Sequence, residues 1–174
     1  GVLPYLDVDI DDEDSLSERL TRNKMDAVLD IVVIRLPHLS NFTDFAVLEA
    51  MPGVGVRYVR SQKELGTPDL VILPGTKSTI ADLRWLRQCG LEAAIKKLAA
   101  QVTSIIGICG GYQMLGERIS DAAGAEGGGE IIGIGLLPVS TEITGEKRCD
   151  RVMGRILETG GILADLSGAR LEGY

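Results

Sequence analysis

Aromatic residues are scarce in this chain: one tryptophan, four tyrosines and two phenylalanines in 174 residues. A core built from it must rest on Val, Ile, Leu and Ala. Histidine is scarcer still, and His38 is the one imidazole present. The three cysteines, Cys89, Cys109 and Cys149, show no CxxC spacing. So sparse and odd a set is neither a disulfide framework nor a zinc site, and it fits a reducing cytoplasm. Basic charge is in deficit, with a net charge of −7, which argues against nucleic acid as a partner because phosphate backbones select basic surfaces. No apolar run approaches the roughly 20 residues that a membrane span needs, so no membrane partner is expected. The opening Gly1-Val2-Leu3-Pro4-Tyr5 has no basic n-region and does not read as a secretory signal.

What is present divides at about residue 25. "DVDIDDEDSLSER" packs Asp7, Asp9, Asp11, Asp12, Glu13, Asp14 and Glu18 into one short stretch. It lacks the spacing of a Ca²⁺ loop, so no metal is expected, and residues 1–25 read as an acidic linker. From residue 29 strands alternate with helices. "LDIVVIRL" (29–36) is a continuous apolar run, the mark of a strand covered on both faces. "GVRYVR" (55–60), "LVILP" (70–74) and "TSIIGIC" (103–109) read as further strands. Helices are expected over 43–51, 78–89 and 91–100, the last two split at Gly90, and again from residue 111 to 119. The alternation implies α/β architecture, with a mostly parallel central sheet flanked by helices. Beyond residue 120, "GAEGGGE" reads as a flexible turn region, followed by strands over 131–143 and 151–157.

Two strand-end loops carry candidate chemistry, since ligands of open parallel sheets sit at the carboxyl ends of strands. "IIGICGGYQMLGE" places Cys109 on a corner among Gly107, Gly110 and Gly111. Such a G-x-C-G-G run suits a nucleophile elbow, where small neighbours expose the thiol and the Gly110 N–H can face an oxyanion. A helix beginning beside the thiol would favour its thiolate. The alternative is one small residue buried in a glycine-rich turn. "LPGTKST" (73–79) likewise ends a strand and opens a helix. Gly75 is its candidate second oxyanion donor; a plain loop and helix cap is the other reading. The phosphate-loop spacing G-x-x-x-x-G-K is missing. Arg151 is a candidate partner for a substrate carboxylate, or else a surface arginine. Cys89 and Cys149 have no such corner and read as structural. Tyr112 and Gln113 read as packing or interface residues.

These segments resemble a known family. "GICGGYQMLG" and "VILPGTKST" resemble the nucleophile segment and the strand-end loop of class I glutamine amidotransferases, in the cobyric acid synthase branch. "VIRLPHLSNFTDFAVLEAMPGVGVRYV" (33–59) resembles the start of that branch's amidotransferase domain, and residues 1–16 the end of its preceding synthetase domain. The resemblance implies the flavodoxin-like class I amidotransferase fold over 26–174. It implies Cys109 as the nucleophile, glutamine as the substrate, and no cofactor in this domain. ATP and Mg²⁺ would act on an ATP-dependent synthetase domain of the same parent chain, which holds a corrinoid acceptor. The family takes its catalytic histidine from a "GYEIH"-type motif, so the domain is expected to be incomplete at its C-terminus, with that histidine beyond Tyr174. His38 lies at a position the family does not use for its base. An amidotransferase for another acceptor (an a,c-diamide synthase or a cell-wall ligase partner) and a non-catalytic interaction module are the alternatives.

Overall fold

The computed structural model describes residues 27–145 and 150–173. The acidic stretch 1–25 and Cys149 lie outside the described residues. Contacts divide the chain into two compact units, Gly1–Ile143 and Thr144–Tyr174.

In the first unit, β1 (Leu29–Ile34), β2 (Val54–Val59), β3 (Leu70–Leu73) and β4 (Ser104–Gly107) form a sheet of order β2-β1-β3-β4. Every pairing in it is parallel. The apolar run at β1 is continuous because its alternate side chains enter two different cores. Val32 and Ile34 join Val71, Leu73, Leu83, Leu86 and Ile95 on one side, whereas Ile31 and Val33 join Phe45, Val56 and Ile72 on the other. Helices α1 (Ala46–Ala50), α2 (Gln62–Leu65), α3 (Thr79–Gln88), α4 (Leu91–Ala100) and α5 (Gly110–Leu115) accompany the strands. Gly90, at φ 78°, separates α3 from α4, as the sequence pattern predicts.

The expected helix over 111–119 is cut short. It stops at Leu115 because Glu117 N–H donates to Val139 O (2.7 Å) and the chain turns into β5 (Arg118–Asp121). β5 pairs antiparallel with β6 (Gly129–Ile132) and parallel with β7 (Ser140–Glu142) in a second sheet. The strand expected over 131–143 is therefore two short strands joined by a loop. The four-residue α2 was not foreseen. The "GAEGGGE" region forms a turn gathered around one carboxylate. The buried Asp121 carboxylate accepts from the backbone N–H groups of Ala125, Glu126 and Gly128, each at 2.8 Å. Burial pushes its pKa up, but these donors, joined by Gly124, outweigh that and hold the carboxyl below its ordinary value.

In the second unit β8 (Val152–Arg155) and β9 (Arg170–Gly173) pair antiparallel, with a 3₁₀ segment, Gly161–Leu166, between them. Among the described residues, no helix is long and apolar enough to cross a membrane.

Candidate active site

Cys109 follows β4 and N-caps α5, with its side chain exposed. Its backbone sits at φ 51°, ψ −113°. A non-glycine residue there is under strain of roughly 1–3 kcal/mol, which persists only where the surroundings impose it. They do so from both sides. Ile108 N–H donates to Leu73 O (2.9 Å), extending the ladder between β3 and β4, while Gln113 N–H donates to Cys109 O (3.1 Å) and starts the helix. The chain thus passes from strand to helix within two residues, Ile108 and Cys109. Gly111 permits that closeness, because a Cβ on it would stand 2.0 Å from Leu73 O. Local glycine placement therefore produces the sharp exposed corner expected from the sequence.

The strand-end loop after β3 lies against this corner. A Cβ on Gly75 would stand 3.7 Å from Cys109 Cβ, and one on Gly110 would stand 2.6 Å from Thr76 Cγ2. The structure thus brings together Cys109, Gly110 and Gly75, residues from two separate loops. Among the described residues, neither the Gly75 nor the Gly110 backbone N–H donates to a protein acceptor. Two free N–H groups beside an exposed thiol are what a developing oxyanion requires. Thr79, at the start of α3, links that helix to α5 by donating its hydroxyl to Gln113 Oε1 (3.3 Å), and its N–H donates to Glu126 Oε2 (2.7 Å) in the turn after β5. Tyr112 is about half exposed.

Arg151 belongs to the second unit, where its guanidinium pairs with Glu172 on β9. Cys89 is half-buried on the C-cap of α3, with its thiol donating to Leu86 O. A surface depression lined by Arg118, Ser120, Ser140, Thr141 and Glu142 follows β5 and β7 and includes no residue of the elbow. Among the described residues, no three His, Cys, Asp or Glu side chains gather as a metal site.

Sequence reading missed a polar cluster beside the elbow. Asp82 on α3 is fully buried and receives His38 Nδ1 at 2.7 Å and the Thr76 hydroxyl at 2.5 Å. One signal was available: Asp82 shares a helix face with Thr79, Leu83 and Leu86, all buried. A charge on the apolar stripe of a helix calls for partners.

This parallel α/β frame and its cysteine corner define a glutamine amidotransferase architecture, and the comparisons agree. Residues 30–174 match the model of the CobB/CobQ-like glutamine amidotransferase domain, and the chain belongs to that family. It is 54% identical over its whole length to a cobyric acid synthase of Ruminiclostridium cellulolyticum, and 53% identical to one of Lachnoclostridium phytofermentans. It spans 34% of the length of each. A solved structure, "Crystal structure of glutamine amidotransferase", superposes with a TM-score of 0.53 at 17% identity, over 72% of this chain and 62% of that one. This last likeness shows the fold alone.

Proposed function

We propose that this chain is the glutamine-hydrolysing, ammonia-supplying part of a cobyric acid synthase. The observation that carries the reading is the strained, exposed Cys109 corner with the unused N–H groups of Gly75 and Gly110 beside it. Family membership and the two cobyric acid synthase relatives support it.

In this reading the Cys109 thiolate attacks the side-chain amide carbon of glutamine, forming a C–S bond. The carbonyl oxygen takes the displaced π electrons, and the Gly110 and Gly75 N–H groups stabilise it. When the C–O double bond re-forms, the C–N bond breaks. The amide nitrogen takes up a proton and leaves as ammonia. Water then attacks the γ-glutamyl thioester, the C–S bond breaks, and glutamate and the thiol are released. The ammonia serves a synthetase part of the parent protein, which uses ATP and Mg²⁺ to activate corrinoid carboxylates for amidation. The cytoplasm is the proposed compartment, in keeping with three cysteines that show no disulfide spacing.

The test uses the full-length parent protein and an adenosylated cobyrinic acid diamide with ATP and Mg²⁺. Cys109→Ser should abolish amidation from glutamine while amidation from ammonium salts persists. Undiminished glutamine-dependent amidation by that variant would sink the proposal. A protein that hydrolyses glutamine through Cys109 but amidates no corrinoid would point to a different acceptor.

A further inference from the structure

Asp82 sits on the first turn of α3 with its side chain fully buried. A carboxylate removed from water is costly unless donors fill its oxygens. Three do. Thr76 Oγ1 donates to Oδ2 at 2.5 Å, the His38 backbone N–H donates to Oδ2 at 3.2 Å, and His38 Nδ1 lies 2.7 Å from Oδ1. With Nδ1 donating, the His38 ring is fixed in orientation although its side chain is half exposed.

The bonds around this carboxylate converge on one loop. Ser40 N–H donates to Gly75 O (3.0 Å), Lys77 N–H donates to His38 O (3.1 Å) and Asp82 N–H donates to Ser78 O (2.9 Å). Ser78 N–H donates to Thr76 Oγ1 (3.1 Å). Each of residues 75 to 78 is thus tied either to segment 38–40 or to Asp82. Thr76 is the direct link, because its hydroxyl is on Asp82 while its Cγ2 lies against Gly110. A well-packed apolar side chain is often no worse for stability than a buried charge, so stability alone is a weak account of this arrangement. What the charge adds is fixed geometry at the loop that bears Gly75.

We propose that Asp82 is a positioning residue: through Thr76 and His38 it holds loop 74–78 so that Gly75 stays against the Cys109 corner. This rests on Gly75 being an oxyanion donor. Stabilisation of that kind is realised in the tetrahedral state, so its loss lowers kcat more than it raises KM.

The experiment compares Thr76→Val, Thr76→Ser and Asp82→Asn in the full-length parent protein. Glutamine hydrolysis is followed at steady state, and the alkylation rate of Cys109 by iodoacetamide is read on the Cys109 peptide by mass spectrometry. That alkylation is a direct displacement at saturated carbon and needs no oxyanion donor. Removing an oxyanion donor outright costs about 10²–10³ in kcat, so a displaced one should cost roughly 10–100-fold. Thr76→Val is expected to show that loss with KM changed less than about threefold, an undisturbed alkylation rate and an undisturbed melting temperature; Thr76→Ser is expected to recover most of kcat. Asp82→Asn should match Thr76→Val, and if it does not fold, the Thr76 pair decides. Wild-type kcat in Thr76→Val, or a loss that serine fails to recover, overturns the proposal, and so does an alkylation rate that falls together with kcat. Failure of the elbow reading itself would look different: Cys109→Ala would still hydrolyse glutamine.

Discussion

Gly75 and Cys109 lie on separate strand-end loops, 34 residues apart in sequence, yet a single methyl group on Gly75 would fall within van der Waals contact of Cys109 Cβ, at 3.7 Å. The same Cβ would stand 3.0 Å from Ser40 Oγ, so a larger group there must displace segment 38–40 or the loop itself. Gly75→Val is expected to cut glutamine turnover roughly 10–100-fold, the cost of a displaced oxyanion donor, because its side chain pushes the loop off the Cys109 corner although the N–H remains. Steady-state glutaminase kinetics would check this, and turnover within a few-fold of wild type would contradict it.

Cys109→Gly relieves the strained backbone at φ 51°, ψ −113°. The variant should lose glutamine hydrolysis and gain stability of about 1–3 kcal/mol, less the entropy glycine adds to the unfolded chain. Chemical denaturation of the two proteins measures the difference, and a less stable variant would count against strain at the corner.

Gly111→Ala is expected to fail differently. Its new Cβ would stand 2.0 Å from the carbonyl oxygen of Leu73, a backbone atom on β3 that cannot rotate away. Overpacking of this kind costs about 1–3 kcal/mol and sometimes more. The melting temperature should fall, and activity should fall with it as the elbow shifts.

His38→Ala removes the Nδ1 donor from a buried carboxylate that keeps Thr76 and the backbone N–H. A few-fold loss of kcat is expected, smaller than for Thr76→Val, because two of three donors remain. Complete loss of hydrolysis in a folded His38→Ala protein would instead make His38 the proton carrier.

Acid should act through Asp121. Its pKa is lowered in the folded state, so its contribution is present at pH values above the ordinary carboxyl value of 3.8 and disappears as pH falls through the depressed folded value. The stability gap between wild type and Asp121→Asn should therefore be full at neutral pH and close in strong acid. Urea midpoints at a series of pH values test this, and a gap that widens towards acid would reverse the sign.

Much of the frame was legible in the residues. The continuous apolar run at 29–36 marked a strand with both faces covered and 70–74 read as a further strand, and the structure buries Ile31 to Ile34 and Val71 to Leu73. Gly107, Gly110 and Gly111 around Cys109 marked the corner, because tight backbone approach is a local demand that only small residues meet. The second sheet was harder to read. β6 and β7 have four and three residues, too few for a period to show. The Asp82 cluster was hidden for another reason. His38 and Asp82 are 44 residues apart, and nothing in either segment indicates that β1 and β3 lie side by side and bring their trailing loops together.

The strained torsions at Cys109 also bear on descent. A fold gains nothing from holding that corner, so the corner survives only while its chemistry is selected. A gene copy released from glutamine hydrolysis would drift towards glycine at position 109 and become sturdier as it fell silent. The residue at this position in other copies of the domain is therefore a marker of whether each still earns its keep as a catalyst.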